Sequence, residues 1–217
     1  MSTATPTTTA GFDHPEEQRF VLRAVDWPAY QQISAALTGR HVRLTYDGHN
    51  LEFMTISPLH ANCSRLIGRF VVVLTEETNL PLRSFGDMTC DREDVRKGLE
   101  ADECFYIANE PLIREKEQLD LSVDPPPDLA VEVEITQSAN DRMDIYALLG
   151  VPEVWRFDGQ HLTVSQRQEE GTYALASHSK YFGPIPIAEL AAFVQRRTEV
   201  DENSLIREFR EWVRSIA

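Results

Sequence analysis

Residues 124–135, DPPPDLAVEVEI, constrain this chain more than any other stretch. Three prolines break the chain and a β-rich run follows. In a strand, alternate residues share a face. Leu129, Val131, Val133 and Ile135 therefore fall on one side, and Asp128, Ala130, Glu132 and Glu134 on the other. One side is wholly apolar, while the other gathers three acids within roughly 20 Å. A solvated acidic face on an edge or half-exposed strand is the plain reading. Two facts weaken it: Glu has poor strand propensity, and like charges at i and i+2 repel unless something positive lies between them. A divalent cation with oxygen ligands, Mg²⁺ or Mn²⁺, would supply that charge.

Two further residues bear on such a site. Asp102 precedes the apolar strand Cys104–Ile107 and offers a second acid, although a turn or strand-capping Asp is the alternative. Arg142 falls in the first turn of the helix expected over about 140–149, where a cation opposes the helix dipole. A carboxylate or phosphate partner would offset that cost. Pairing with Asp141 or Asp144 would do so too.

Around this centre the pattern predicts a mixed α/β domain. Residues 1–18 are polar and without periodicity, and are expected to be a disordered tail. Asp26 and Pro28 start a short helix that Gly39 ends. Asp47-Gly48 and Asp158-Gly159 each sit between alternating apolar runs and predict hairpins. Ser57-Pro58 opens the longest helix, to about Thr78, with a stripe of Leu59, Cys63, Leu66, Ile67, Phe70 and Leu74. Short strands are expected around Leu82–Thr89 and Cys104–Ile107, and another at Val154–Phe157. An amphipathic helix over 200–216 ends the chain, its stripe of Leu205, Phe209, Trp212, Val213 and Ile216 suited to packing on the same domain or to a homodimer contact.

Charge limits the partners. Lys plus Arg number 21 against 35 Asp plus Glu, a net charge of −14. Nucleic-acid affinity comes largely from neutralising phosphates, so binding by the whole surface is excluded. A small basic approach to a buried acidic site is not. The longest apolar cluster, Phe70–Leu74, is too short to span a membrane. The first ten residues carry no secretory pattern. Cys63, Cys90 and Cys104 are odd in number and lack CxxC spacing, which reads as reduced thiols in a cytoplasmic protein.

The run PPDLAVEVEITQSANDRMDIYALLGVPEVWRFDG, preceded by GLEADECFYI and YDGHNLEFMTISPLH, resembles the Uma-type restriction-endonuclease family. That family is common in cyanobacteria and belongs to the PD-(D/E)XK nuclease superfamily. The resemblance covers roughly residues 40–195. It implies a restriction-endonuclease-like mixed sheet flanked by helices, here with an added N-terminal hairpin and a C-terminal helix, in a single domain over 19–217. It also implies a Mg²⁺- or Mn²⁺-dependent endonuclease acting on DNA. By resemblance, Asp102 matches the first metal-binding acid and Glu132 the acid of the (D/E)XK element. The Lys of that element would fall at Glu134, and the Lys that many members place in the following helix is Arg142 here. Glu52 in NLEFM and His60 in SPLH match other recurring positions; an acid that often follows the His is replaced by Ala61. Arg keeps its proton and acts as an electrostatic clamp. Arg142 is therefore expected to contact the scissile phosphate, with Glu134 completing the acidic cluster and Glu134 or His60 assisting a metal-activated water. Two rivals stand beside this: a non-enzymatic dimeric binding or scaffold module, and a metal-dependent hydrolase of a smaller phosphorylated substrate.

Overall fold

The computed structural model describes residues 17–136, 138 and 141–216. The tail expected over 1–18 lies outside the described residues except for Glu17 and Gln18. Gln18 bonds to Thr55 through its backbone: its N–H reaches Oγ1 and its carbonyl accepts from the Thr55 N–H, both at 2.9 Å.

Two sheets form the frame. The first has five antiparallel strands in the order β1-β3-β2-β6-β5: β1 (Arg19–Leu22), β2 (Val42–Tyr46), β3 (Leu51–Thr55), β5 (Thr89–Arg92) and β6 (Lys97–Glu100). The second has six strands in the order β11-β10-β9-β8-β7-β4: β4 (Arg83–Gly86), β7 (Glu103–Tyr106), β8 (Leu129–Val133), β9 (Glu153–Phe157), β10 (Leu162–Arg167) and β11 (Tyr173–Ala176). Only β8 and β9 run parallel, as the crossover through a helix requires. The hairpin expected as an N-terminal addition is thus the centre of a whole second sheet, because β1 and the β5–β6 pair join its two sides.

Six helices flank the sheets: α1 (Trp27–Leu37), α2 (Pro58–Glu77), α3 (Glu110–Ile113), α4 (Arg142–Leu149), α5 (Leu190–Gln195) and α6 (Glu202–Ile216). The predicted caps hold. Asp26 accepts from Ala29 N–H, Ser57 accepts from His60 N–H, and Gly150 closes α4 in the left-handed region at φ +85°. Leu59, assigned to the α2 stripe, is 42% exposed, whereas Cys63, Leu66, Ile67, Phe70 and Leu74 are buried. Among the described residues no helix is long and apolar enough to cross a membrane.

The acidic-apolar strand lies in the interior. β8 sits between β7 and β9, with Leu129, Val131 and Val133 packed under α2, α5 and α6, and Ala130 packed against the α4 side. The edge or half-exposed reading is overturned. The α6 stripe is also consumed within the chain: Phe209 stacks 4.3 Å from Phe70 of α2, and Arg210 and Arg214 pair with Glu77. Leu205, Phe209 and Val213 are buried within the chain, the packing on the same domain that the sequence offered, while Trp212 and Ile216 of the stripe are partly buried.

Candidate active site

The chain passes from the first sheet to the second through Ala101-Asp102, the two residues between β6 and β7. Asp102 thus stands where the sheets diverge, beside the N-terminal turn of α2. A cavity of about 440 Å³ opens there, and Asp102, Glu103, His60, Arg43 and Arg65 are among its lining residues.

The Asp102 carboxylate is 3% exposed and held from three directions. Oδ2 accepts from the amide N–H of Val133 at 2.8 Å, which ties it to the residue after Glu132. Oδ1 lies 2.8 Å from His60 Nε2 and 3.6 Å from Arg43 Nε. Neither nitrogen is aligned for a hydrogen bond, so both contacts are ion pairs. Burial would raise the Asp102 pKa, but the His60 contact, the Arg142 charge and the Val133 amide together hold it below the usual carboxylate range. The same forces act in reverse on His60. Burial would lower its pKa, yet Asp102 and Glu17 raise it to about 9, so the ring is cationic at neutral pH.

Glu132 faces the α4 side, behind Asp102, and is not itself among the residues that line the cavity. Its Oε1 accepts from Arg142 Nη2 at 2.6 Å and from the Tyr146 hydroxyl. Burial pushes this carboxyl up, Arg142 offsets part of that, and the Asp102 charge adds to it. The terminal nitrogens of Arg142 are engaged further: Nη1 donates to Thr45 Oγ1 at 2.5 Å and Nη2 also donates to the Glu100 carbonyl at 2.8 Å, while Nε is buried without a hydrogen-bond partner among the described residues. The sequence expectation of a carboxylate beside it is met by Glu132, not by Asp141 or Asp144. At 7% exposure the guanidinium bolts β2 and β6 to β8 and does not present itself to a phosphate.

The other sequence candidates lie elsewhere. Glu134 follows β8 and pairs with Arg156 of β9 at 2.5 Å, outside the cavity lining. Glu52 is buried in β3, bonded to Arg19 at 2.6 Å and to Ser138 at 2.8 Å. Asp128, third of the acids on that strand face, accepts from Ile107 N–H, Asn109 N–H and Asn109 Nδ2, and so anchors the loop after β7.

Glu103 escaped sequence reasoning. Its carboxylate makes no hydrogen bond or ion pair with the described residues, and burial together with Asp102 and Asp87 raises its pKa to about 7. Gly68 of α2 makes room for it: a Cβ there would stand 3.2 Å from the Glu103 carboxyl carbon. Arg40, Arg43 and Arg65 were also missed, because scattered arginines in an acidic chain carry no local signal.

Carboxylate oxygens suit a hard divalent ion, and Mg²⁺ is often held by only one or two of them plus water and substrate phosphate. Asp102 and Glu132 fit that donor chemistry, and the Asp102 charge acts on Glu132. The described residues contain no group of three His, Cys, Asp or Glu side chains able to hold a metal, so such an ion would rest on a pair of carboxylates with water and substrate.

Comparison with known proteins places this geometry in a family. No curated protein sequence matches the chain. Among solved structures, a protein from Anabaena variabilis described as a "putative nuclease belonging to DUF820" aligns with a TM-score of 0.48 at 15% identity, covering 87% of this chain and 99% of that one. The family model described as "Putative restriction endonuclease" (Uma2) matches residues 27–192, which include Asp102, Glu132, Arg142, Glu52 and His60. With that match over most of its length, the chain belongs to the Uma2 family.

Proposed function

We propose that this chain is a nuclease that hydrolyses phosphodiester bonds of DNA in the cavity between its two sheets. One observation carries the reading. In a chain of net charge −14, the cavity that reaches Asp102 gathers Arg40, Arg43, Arg65 and cationic His60 against Asp87, Asp102 and a Glu103 whose pKa is raised to about 7 by burial and by its acidic neighbours. A local cationic approach of this kind is what a phosphate backbone needs. A second cavity of about 290 Å³ shares Arg65 and Glu103 with the first and continues to Arg69. Two adjoining cavities with shared arginine and acid lining suit a polynucleotide better than a small phosphorylated substrate.

Asp102 and Glu132 would hold a Mg²⁺ or Mn²⁺ ion. When bound, such an ion neutralises phosphate charge and makes water a stronger nucleophile. The chain's own side chains do the rest. Arg43 and Arg65 bind the phosphate and stabilise charge that develops on its oxygens. Both line the cavity, and Arg43 Nη1 also pairs with Asp87 at 2.7 Å. Glu103, unpaired and poised near neutrality, accepts the proton of the attacking water. His60 keeps a proton at Nε2 facing Asp102 and fixes that carboxylate. Arg142 holds Glu132 in place from behind. The buried unpaired cysteines support a reducing, cytoplasmic setting.

The test is cleavage of plasmid DNA with Mg²⁺ or Mn²⁺, comparing the native chain with Asp102→Ala. Loss of cutting in the variant supports the assignment, and equal cutting removes it. The non-enzymatic rival has one observation in its favour: Glu132 Oε1 is already bonded to Arg142 and Tyr146. Calorimetry without Mg²⁺ or Mn²⁺ binding, together with DNA binding and no cleavage, would favour that rival.

A further inference from the structure

The family match begins at residue 27, yet part of the site comes from the chain before it. Glu17 places Oε1 on Nδ1 of His60 and Oε2 on the hydroxyl of Thr136. The Glu17 and His60 side chains are each only 1% exposed. An ionised carboxylate can only accept, so Nδ1 must donate to Glu17 while Nε2 faces Asp102. The imidazole is thereby held at both nitrogens, between carboxylates 85 residues apart in the sequence.

The segment that carries Glu17 is itself fastened to the site. Arg19 Nη1 bonds Glu52 at 2.6 Å, Nε bonds Thr136 Oγ1 at 2.9 Å and Nη2 bonds the Thr136 carbonyl at 3.0 Å. Thr136 lies just past β8, four residues after Glu132. A ring bonded at one nitrogen only could rotate away from Asp102. A second buried carboxylate removes that freedom, and such fixing of a supporting group is how sites keep productive geometry.

We infer that Glu17 is a positioning residue of this site: it fixes the His60 ring against Asp102, so that the strand ahead of the family-matched region completes the catalytic apparatus. This rests on the nuclease reading for its kinetic consequence, but not for the contact itself. Glu17→Gln keeps the shape and an acceptor for Thr136, while removing the charge that faces Nδ1. Thr136→Val removes the other bond of Glu17 and the acceptor for Arg19 Nε but not the histidine contact, so it controls for mere fastening of the N-terminal segment.

Two measurements on the full chain test the inference. The first is kcat and KM for a labelled DNA duplex. Glu17→Gln is expected to lower kcat by about 10- to 100-fold with KM little changed, the size of effect that small misplacement produces. Thr136→Val is expected to change kcat less than about threefold, since it leaves that geometry intact. The second is the proton NMR signal of the His60 ring N–H, identified by its absence in His60→Gln. A hydrogen-bonded, exchange-protected resonance is expected in the native chain and should be lost in Glu17→Gln. If the native chain does not cut DNA, the nuclease reading fails, and the ring resonance alone decides the role of Glu17. An unchanged resonance in Glu17→Gln overturns the inference, as does an equal loss of kcat in Glu17→Gln and Thr136→Val.

Discussion

Replacing Arg142 with Met removes the guanidinium that joins the two sheets. The side chain is buried and donates to Thr45 of β2, to the Glu100 carbonyl of β6 and to Glu132 of β8. Met fills a similar volume, so the cost is electrostatic and not a cavity. Breaking a buried ion pair from one side costs about 3–5 kcal/mol, because the remaining charge is stranded. Here the stranded group is Glu132, already pushed up by burial and by Asp102. Against a typical total of about 5–15 kcal/mol, that is a large fraction. With a urea slope of about 2 kcal/mol per molar, the midpoint should fall by about 2 M. Arg142→Met/Glu132→Gln removes the stranded charge and leaves the Tyr146 hydroxyl an acceptor. It should be more stable than Arg142→Met alone, by about 1–3 kcal/mol on the scale of direct couplings. Urea unfolding of the four chains of this cycle at pH 7 measures both quantities. A loss under about 1 kcal/mol for Arg142→Met would refute the idea that the pair is buried and uncompensated, since that is the scale of exposed pairs. So would two losses that simply add.

Three other outcomes follow from the same geometry. His60 has a pKa raised from 6.5 to about 9 by Asp102 and Glu17, so in metal-free protein its contribution to stability is complete below pH 6.5 and disappears as the pH rises through 9. Urea midpoints measured from pH 6 to 10 should fall over that window, and the fall should flatten in His60→Gln. Gly68→Ala gains about 1 kcal/mol of helix propensity, but its Cβ would press on Glu103 at 3.2 Å, so thermal unfolding should change little while cleavage drops. Asp128→Asn weakens three hydrogen bonds that fix the loop after β7. Since hydrogen bonds to a charged acceptor are worth about 1.5–3 kcal/mol each, urea unfolding should show a loss of at least about 2 kcal/mol. Cleavage per folded molecule should stay near that of the native chain, because Asp128 does not line the cavity.

Much of the frame was legible because its signals are local. Ser57-Pro58 and a 3.6-residue stripe define α2, and Asp-Gly pairs define two hairpins whose glycines, Gly48 and Gly159, both adopt φ +94°. The β5–β6 pair carries no such signal. It turns at Glu93–Arg96, where Arg96 itself takes φ +49° and no glycine marks the bend. β1 was hidden for a different reason, since four residues at a sheet edge beside a polar tail give almost no periodicity. Alternation marked Asp128, Glu132 and Glu134, but only Glu132 lies within β8 and the other two flank it, and alternation could not show that β8 is central. Once the strand is buried on both faces, each acid must find its own partner, and the three go to Asn109, Arg142 and Arg156. The meeting of Asp102 with His60, and of both with Glu17, depends on how two sheets join. No spacing in the sequence encodes it.

The most direct test compares two acids that the sequence reading both placed at the site and the fold separates. Asp102 opens into the cavity between the sheets, whereas Glu134 pairs with Arg156 outside it. Single-turnover cleavage of a labelled DNA duplex in Mg²⁺ or Mn²⁺ should be lost by at least about 100-fold in Asp102→Asn, the scale for removing a group that organises charge at the reacting phosphate. Glu134→Gln should cut within about threefold of the native rate, as expected for a group that does not touch the reacting atoms. Equal rates for the two variants, whether both fast or both slow, would contradict the placement of the chemistry in this cavity.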